Sequence, residues 1–248
     1  MPITTTHNIC GDLIGQAYSL VRAREFTIST DLQAAWEALR NDYTGLPVDE
    51  HLPDGGRYRF RRWGRAYFLP ATGELLPLPH IDYFQSKDYN RVTGGIVRRF
   101  APLKPETFAN PFLQALIRFN LGVFPVDEAG KAQSWQVDIH QIRVLAGKAI
   151  QGEPTPEGVH RDGAEFVTVH LAELEGAQGG DVTIYDNEAC PIAGFQLHRL
   201  LDSYFFDDSQ MLHGVSPIYP EDDALEAVRS ILTFDYHHRP DLKRPENS

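Results

Sequence analysis

Two histidines and one aspartate stand out for their types and their spacing. His160 and Asp162 lie two residues apart in PEGVHRDG, just before an apolar run, and His213 follows in QMLHGVSPI. Alternate side chains of a strand share a face, so a strand here would point both His160 and Asp162 inward. Two imidazoles and a carboxylate hold a divalent metal on one face and leave positions open, which suits non-haem Fe(II). The alternatives are a hydrogen-bonded surface pair and a core histidine.

A single arginine interrupts a later apolar segment. Arg229 lies in AVRSILTFDY, where strand alternation places Ile231 and Thr233 on its own face and Ser230 on the other. A guanidinium inside a barrel is unfavourable without an anionic partner. The carboxylate of a bound ligand satisfies it through two parallel hydrogen bonds. Pairing with Asp235, or a solvated face, is the alternative.

Further polar residues are candidates for the same site. Gln141 and Arg143 share one face of WQVDIHQIRV and could hold the carboxylate of a substrate or co-substrate; a surface-facing polar pair is the alternative. His140 lies on the opposite face and is predicted to be structural. Gln85 and Asn90 are candidates for lining the pocket or for capping a turn.

Five arginines alternate with aromatic residues in RYRFRRWGR, which could indicate binding of nucleic acid. Strand alternation explains them more simply, with the aromatic side chains inward and the arginines outward or paired with acids. The net charge of −11 supports this interpretation and argues against a nucleic-acid partner.

The composition is typical of a soluble globular protein. The chain has 248 residues, of which 42% are apolar and 23% charged. We see no apolar span for a membrane helix and no secretion signal. Cys10 and Cys190 form no disulfide framework. These features predict a cytoplasmic protein without a membrane partner.

The first half is predicted to carry helices and the second half strands. Helical spacing from Ile9 to Val21 predicts one helix, Thr30 is the expected N-cap of a second, and Asn110 with Pro111 begins a third. From about residue 134, some seven short strands predict a barrel or jelly roll. We therefore expect one mainly β domain with flanking helices over residues 1–248, with a cap region at 1–130 and a β core carrying the metal site at 131–248.

The order His160-x-Asp162, then His213, then Arg229 resembles the 2-oxoglutarate/Fe(II) dioxygenases of cupin-like double-stranded β-helix fold. More narrowly, five segments resemble in order the bacterial family that includes the L-isoleucine and L-leucine hydroxylases of free amino acids. These segments are residues 83–103, 139–144, 154–163, 179–186 and 212–218. The stretch 83–103, together with PEGVHRDG, is the more specific part of the resemblance.

The resemblance implies roles for these residues. His160, Asp162 and His213 would bind Fe(II), and Arg229 would hold the distal carboxylate of 2-oxoglutarate, with dioxygen as the other co-substrate. The reaction would hydroxylate, or sulfoxidise, a free L-amino acid such as isoleucine, leucine or methionine. In many superfamily members a Ser or Thr follows two residues after the arginine, but Ile231 stands there in this chain.

Two other functions stay open at this point. The first is a dioxygenase acting on a protein or peptide side chain, which an open groove beside the metal would favour. The second is a non-enzymatic cupin-like barrel, idle or binding zinc, against which the buried Arg229 argues. The oligomeric state is open as well, with a homodimer as one expectation.

Overall fold

The computed structural model describes residues 2–86, 94–222 and 224–239. The helices are α1 (Ile9–Gln16), α2 (Thr30–Asn41), α3 (Pro105–Phe108), α4 (Pro111–Val123) and α5 (Glu128–Lys131). The strands are β1 (Ile3–Thr5), β2 (Tyr18–Val21), β3 (Phe26–Ile28), β4 (Arg59–Leu69), β5 (Glu74–Pro77), β6 (Ala101–Pro102), β7 (Trp135–Gly147), β8 (Phe166–Glu175), β9 (Ala177–Gly179), β10 (Val182–Tyr185), β11 (Pro191–Phe195), β12 (Ser203–Asp207), β13 (Leu212–Val215), β14 (Ile218–Pro220) and β15 (Glu226–His238).

The start of α4 follows the sequence prediction. The Asn110 side chain accepts hydrogen bonds from the backbone of Phe112 and Leu113, and Pro111 occupies the first turn, where no N–H is needed. The predicted N-cap of α2 is wrong by one residue. Ser29 is the N-cap, and Thr30 is the first helical residue.

The first helix ends earlier than its spacing predicts. Ala17 follows α1 with a φ of 62°, and its backbone N–H bonds to the carbonyl of Leu13. This left-handed C-cap turns the chain into β2, where Val21 is buried as a strand residue. The apolar residues are therefore buried as expected, but the last of them belongs to a strand.

An eight-stranded sheet dominates the fold. Its order is β2-β12-β8-β15-β7-β4-β5, with β6 added parallel to β4. A three-stranded sheet, β11-β10-β13, and the pair β14-β9 complete the β structure around the site. Val169 and Leu171 of the large sheet pack in one core with Val182 and Ile184 of the small sheet. The prediction of a mainly β fold with flanking helices is confirmed.

The two faces of the large sheet have different neighbours. On the helix face, residues of α1, α2 and α4 form one core with alternate strand residues such as Val137, Ile139, Leu232 and Phe234. On the pocket face, the intervening residues Ile142, Ile231 and Thr233 line a pocket instead. A one-residue step along a strand therefore moves a side chain from the helical core to the pocket.

The large sheet takes strands from both halves of the chain. The strands β2, β4 and β5 precede residue 130, and they share the sheet with β7, β8, β12 and β15. The division into a cap and a core at residue 130 stays a prediction. Within the described residues, no helix is long and apolar enough to cross a membrane.

Candidate metal centre and active-site pocket

The two histidines and the aspartate come together where the large and small sheets meet. His213 lies in β13, whereas His160 and Asp162 lie in the loop before β8, which begins only at Phe166. The prediction that His160 and Asp162 share a strand is therefore wrong. Strand pairing is limited here to one bridge, in which His160 and His213 exchange two backbone hydrogen bonds of 3.0 Å.

A buried carboxylate explains why this segment remains a loop. The backbone N–H groups of Asp162, Gly163 and Ala164 donate to the two Asp208 carboxylate oxygens at 3.1, 2.7 and 3.0 Å. Gly163 has a φ of 90°, a conformation that favours glycine. Asp208 thus holds the loop that carries Asp162. Asp208 is not among the candidates predicted from the sequence, although it follows directly after β12.

The three side chains converge on one point. Their candidate ligand atoms all lie within 4.8 Å of one another. Nε2 of His160 is 3.5 Å from one Asp162 oxygen, and Nε2 of His213 is 3.8 Å from the other. Donors about 2.1 Å from a shared ion at right angles would be about 3 Å apart, so the set fits one metal ion after a small contraction. The described residues contain no other cluster of this kind.

A second contact orients one of these ligands. Nδ1 of His160 lies 2.9 Å from the carbonyl oxygen of Gly158. Since a carbonyl can only accept, Nδ1 carries the proton and Nε2 presents its lone pair to the cluster. Metal-binding histidines are commonly fixed by a hydrogen bond of this type.

The electrostatics of the cluster favour a bound cation. Burial disfavours charge on every member. Against this effect, the hydrogen bond and charge of Asp162 raise the pKa of His160 to about 9, and the two histidines hold the pKa of Asp162 below its ordinary value. Burial and the charge on His160 lower the pKa of His213 to about 4. A metal ion can replace the proton that His160 otherwise keeps.

Arg229 lines the same pocket and lacks an anionic partner. Its side chain is 3% exposed, and its Nη2 has no hydrogen-bond partner among the described residues. Burial lowers the pKa of Arg229, and only Tyr204 offsets this effect. Gly180 packs against it so closely that an added Cβ would lie 3.3 Å from the Arg229 side chain. An unpaired buried guanidinium aimed into a pocket fits the carboxylate of a bound ligand.

The neighbours of Arg229 follow the predicted alternation. Ile231 and Thr233 line the pocket with it. Ser230 faces away and donates to Glu173 at 2.6 Å. The apolar Ile231 therefore occupies the place of the expected hydroxyl, and Ser230 does not replace it.

Three predictions for strand β7 need correction. Gln141 is fully buried on the helix face, and Arg143, on the same face, pairs with Glu173 at 3.2 Å. Neither lines the pocket. His140 does line it, although it was predicted to be structural only. Gln141 and Arg143 share a face, as predicted, but this face packs against the helices and the face of His140 lines the pocket. Both faces of the strand are buried, so the sequence pattern does not show which of them meets a cavity.

The arginine-rich strand β4 also differs from its prediction. Arg59 and Arg61 are 2% and 6% exposed and line the pocket. Arg59 pairs with acids, as one of the two alternatives predicts, whereas Arg61 neither faces outward nor forms a salt bridge among the described residues. Gln85 lines the pocket, as considered from the sequence, together with Arg98, which the sequence analysis missed. Asn90 lies outside the described residues. The signal for Arg98 was its place in the family-like stretch 83–103.

This combination defines a class of protein. A pocket between the sheets of a jelly roll brings together a three-residue ligand set for one metal and a buried cation for one carboxylate. Such a site suits a non-haem iron oxygenase that uses a 2-oxo acid as co-substrate. The residues present therefore fit both groups.

Comparison with known proteins identifies the family. Residues 40–235 match the family described as 2OG-Fe dioxygenase, and the chain belongs to this family. It is an Fe(II)- and 2-oxoglutarate-dependent dioxygenase, and Fe(II), 2-oxoglutarate and dioxygen are its cofactor and co-substrates.

Two relatives are similar over most of the chain. L-isoleucine-4-hydroxylase of Bacillus thuringiensis is 32% identical over 199 residues, which cover 79% of this chain and 80% of the relative. The 3(1)-hydroxy-L-isoleucine 4-dioxygenase of Pantoea ananatis (strain AJ13355) is 27% identical over 226 residues, or 90% and 89% of the two chains.

Solved structures confirm the double-stranded β-helix fold. A bsmA homolog from Methylobium petroleophilum PM1 superposes with a TM-score of 0.79 at 28% identity, covering 94% of both chains. The structure named IDO from Bacillus thuringiensis gives a TM-score of 0.73 at 22% identity, covering 93% of this chain and 98% of that one. The second likeness concerns the fold alone.

Proposed function

We propose that this dioxygenase hydroxylates a free aliphatic L-amino acid or a close analogue, with isoleucine, leucine and methionine as the first candidates. The observation that carries the proposal is the convergence of His160, Asp162, His213 and Arg229 on one pocket. The two relatives named for isoleucine or hydroxyisoleucine support this substrate class.

In this proposal, His160, Asp162 and His213 hold the iron. Bound Fe(II), with 2-oxoglutarate and dioxygen, supplies the oxidation that converts a substrate C–H bond to C–OH while 2-oxoglutarate becomes succinate and carbon dioxide. The protein's part is to fix the three ligands. Asp208 fixes the loop of Asp162, and the carbonyl of Gly158 fixes the ring of His160.

Arg229 binds the distal carboxylate of 2-oxoglutarate. Its unpartnered Nη2 provides a donor, and burial strengthens a charge-assisted hydrogen bond by keeping water away. Tyr204 and Val169 line the same pocket and limit its width. Ile231, which lines the same pocket, offers no hydroxyl to this carboxylate.

The test combines purified protein, Fe(II), 2-oxoglutarate and a pool of the common L-amino acids under air. We expect succinate and one amino acid whose mass rises by one oxygen, and NMR of the product distinguishes hydroxylation of carbon from oxidation of sulfur. Reactions without 2-oxoglutarate or without iron are the controls. If succinate forms at the same rate with and without amino acids and no product appears, the substrate class is wrong, and peptide substrates become the next candidates.

Location and assembly belong to the same proposal. Cys10 and Cys190 are free thiols, which supports a reducing cytoplasm. A homodimer and the lack of a nucleic-acid partner stay predictions. Light scattering after gel filtration tests the first, and a DNA-binding titration at low salt tests the second.

A further inference from the structure

Two more buried guanidinium groups line the pocket without a matching acid. Arg61 is 6% and Arg98 is 2% exposed, and the Nε of each has no hydrogen-bond partner among the described residues. Within residues 2–86, 94–222 and 224–239, neither forms a salt bridge. Arg59 beside them differs, because Asp49 at 3.0 Å and Glu157 at 3.2 Å both pair with it.

Only neutral groups hold the two cations. Arg98 donates to the Gln85 side-chain oxygen at 2.7 Å, and Arg61 donates to Nδ1 of His140 at 2.6 Å. Both guanidinium groups lie over aromatic rings. Arg61 is 3.9 Å and Arg98 is 5.4 Å from the ring centre of Phe100, and both also lie over Tyr83. These contacts orient the arginines, but they do not neutralise them.

His140 connects Arg61 to a carboxylate, Asp235. Because an arginine can only donate, Nδ1 of His140 accepts, so its Nε2 carries the proton and donates to Asp235 at 3.1 Å. Burial and the charges of Arg59 and Arg98 lower the pKa of Arg61 to about 10, although the charge of Asp49 opposes them. A negative group bound in the same pocket would offset the cost of burying these two charges.

The position of this pair is tied to the metal centre. The Gln85 amide that receives Arg98 donates at 3.2 Å to the carbonyl oxygen of Asp162, a candidate metal ligand. Arg229 is held elsewhere in the pocket, packed against Gly180 and near Tyr204. The pocket therefore has cationic groups at two separate places, and one co-substrate occupies only one of them.

We propose that Arg61 and Arg98 form the subsite that binds the α-carboxylate of the amino-acid substrate. This inference rests on the proposed function and extends it, because it explains why the substrate must be free. A residue inside a peptide has no α-carboxylate to offer, so the subsite excludes it. The carboxylate anchors one end of the amino acid and directs the side chain toward the metal centre.

The main test uses Arg98→Gln, which removes the charge and keeps a polar side chain. With the amino acid identified by the pool assay, we expect KM for that amino acid to rise roughly tenfold to a hundredfold, the range for loss of a charged hydrogen bond. KM for the amino acid should rise by a larger factor than KM for 2-oxoglutarate, and Arg98→Lys should recover part of the loss. Arg99→Gln is the matched control, because that neighbouring side chain is 83% exposed, and it should behave as wild type.

Binding is measured separately from turnover. Calorimetric titration of L-isoleucine, L-leucine and L-methionine into Zn(II)-loaded protein with 2-oxoglutarate should show weaker binding in Arg98→Gln and Arg61→Lys. The corresponding amino alcohols, which lack the carboxylate, should bind wild type and Arg98→Gln equally weakly.

The outcomes separate the two proposals. If an amino acid is oxidised but its KM is unchanged in Arg98→Gln, the subsite is wrong and the proposed function stands. A rise in KM for 2-oxoglutarate instead would assign these arginines to the co-substrate and overturn the subsite. If no free amino acid is oxidised or bound, the proposed function and the subsite both fail.

Discussion

The two faces of the large sheet bury polar groups in different ways. On the helix face, the Asn120 amide donates to Thr168 at 2.9 Å and to the Tyr236 hydroxyl at 3.0 Å, and Arg143 pairs with Glu173 at 3.2 Å. On the pocket face, Arg229 has donors with no partner among the described residues, as do Arg61 and Arg98. Most polar groups of a packed core form hydrogen bonds with one another, whereas those of a binding site remain available to bind a ligand.

The comparison has exceptions, which limit it. The side-chain oxygen of Asn120, on the helix face, has no hydrogen-bond partner among the described residues. Gln141 lies on the helix face, is fully buried, and both polar atoms of its amide lack a partner among the described residues. A buried unpaired polar atom is therefore a sign of function only when it also faces a cavity. Arg229 meets both conditions, and Gln141 meets one.

The largest expected effect is the loss of a candidate metal ligand, His213, which we compare with the loss of a core histidine, His170. His213→Ala should abolish iron-dependent succinate formation, because it removes one of three ligands, while the free energy of unfolding without metal changes little. His170→Ala, on the helix face, should lower stability by about 1–3 kcal/mol, because Ser203 loses its partner, and should leave iron binding intact. Metal content by atomic absorption and urea unfolding measure the two effects. Unchanged turnover in His213→Ala would remove the iron assignment.

The second effect compares two arginines. Arg229→Gln should raise KM for 2-oxoglutarate roughly tenfold to a hundredfold, since a buried charged hydrogen bond is lost. It should not destabilise the protein without ligand, because the charge had no partner there. Arg143→Gln should show the reverse, with unchanged KM and lower stability, because it leaves the partly buried Glu173 unpaired. Steady-state kinetics with 2-oxoglutarate varied, together with thermal unfolding, checks both variants. Equal effects of the two substitutions on KM for 2-oxoglutarate would contradict the assignment of Arg229 to the pocket face and Arg143 to the helix face.

Site residues could be predicted from the sequence where their type contrasts with that of their neighbours, and not where the whole segment is buried. The ligand set and Arg229 could be predicted because an imidazole–carboxylate pair and a lone arginine contrast with apolar surroundings. The choice between Gln141 and His140 failed, because both faces of β7 are buried and alternation cannot tell which one meets a cavity. Arg61 was predicted to face outward or to pair with an acid, by the rule that charged side chains are exposed or paired, which functional sites violate.

Features that depend on hydrogen bonds between residues far apart in the chain could not be predicted from the sequence. The loop containing Asp162 was predicted as a strand because an apolar strand-like segment follows it. In the structure its backbone N–H groups donate to Asp208, far along the chain, and not to a neighbouring strand. Alternation within one segment carries no information about such a partner. The mainly β class, by contrast, follows from many short segments at once, so errors in single elements such as α1 do not change it.

The smallest expected effect tests the helix face through pH. Burial lowers the pKa of His170 to about 3, and its ring contacts only neutral groups, including Ser203 and Asn120. Ser203 donates to a carbonyl, so His170 Nδ1 donates to Ser203, and Nε2 must accept. The unfolded chain binds this proton below about pH 6.5 and the folded chain does not, so stability is full above that pH and is lost as the pH falls toward 3.

The loss from this one group is about 1.4 kcal/mol per pH unit below about pH 6. Urea unfolding between pH 7.5 and 5, with a chelator present so that metal release does not contribute, should show a shallower pH dependence in His170→Gln than in wild type. The exposed His198→Gln is the matched control and should run parallel to wild type. If stability depended on pH in the same way in His170→Gln and wild type, the folded protein would tolerate a protonated ring at His170. The contrast between a closed core on the helix face and an open site on the pocket face would then be contradicted.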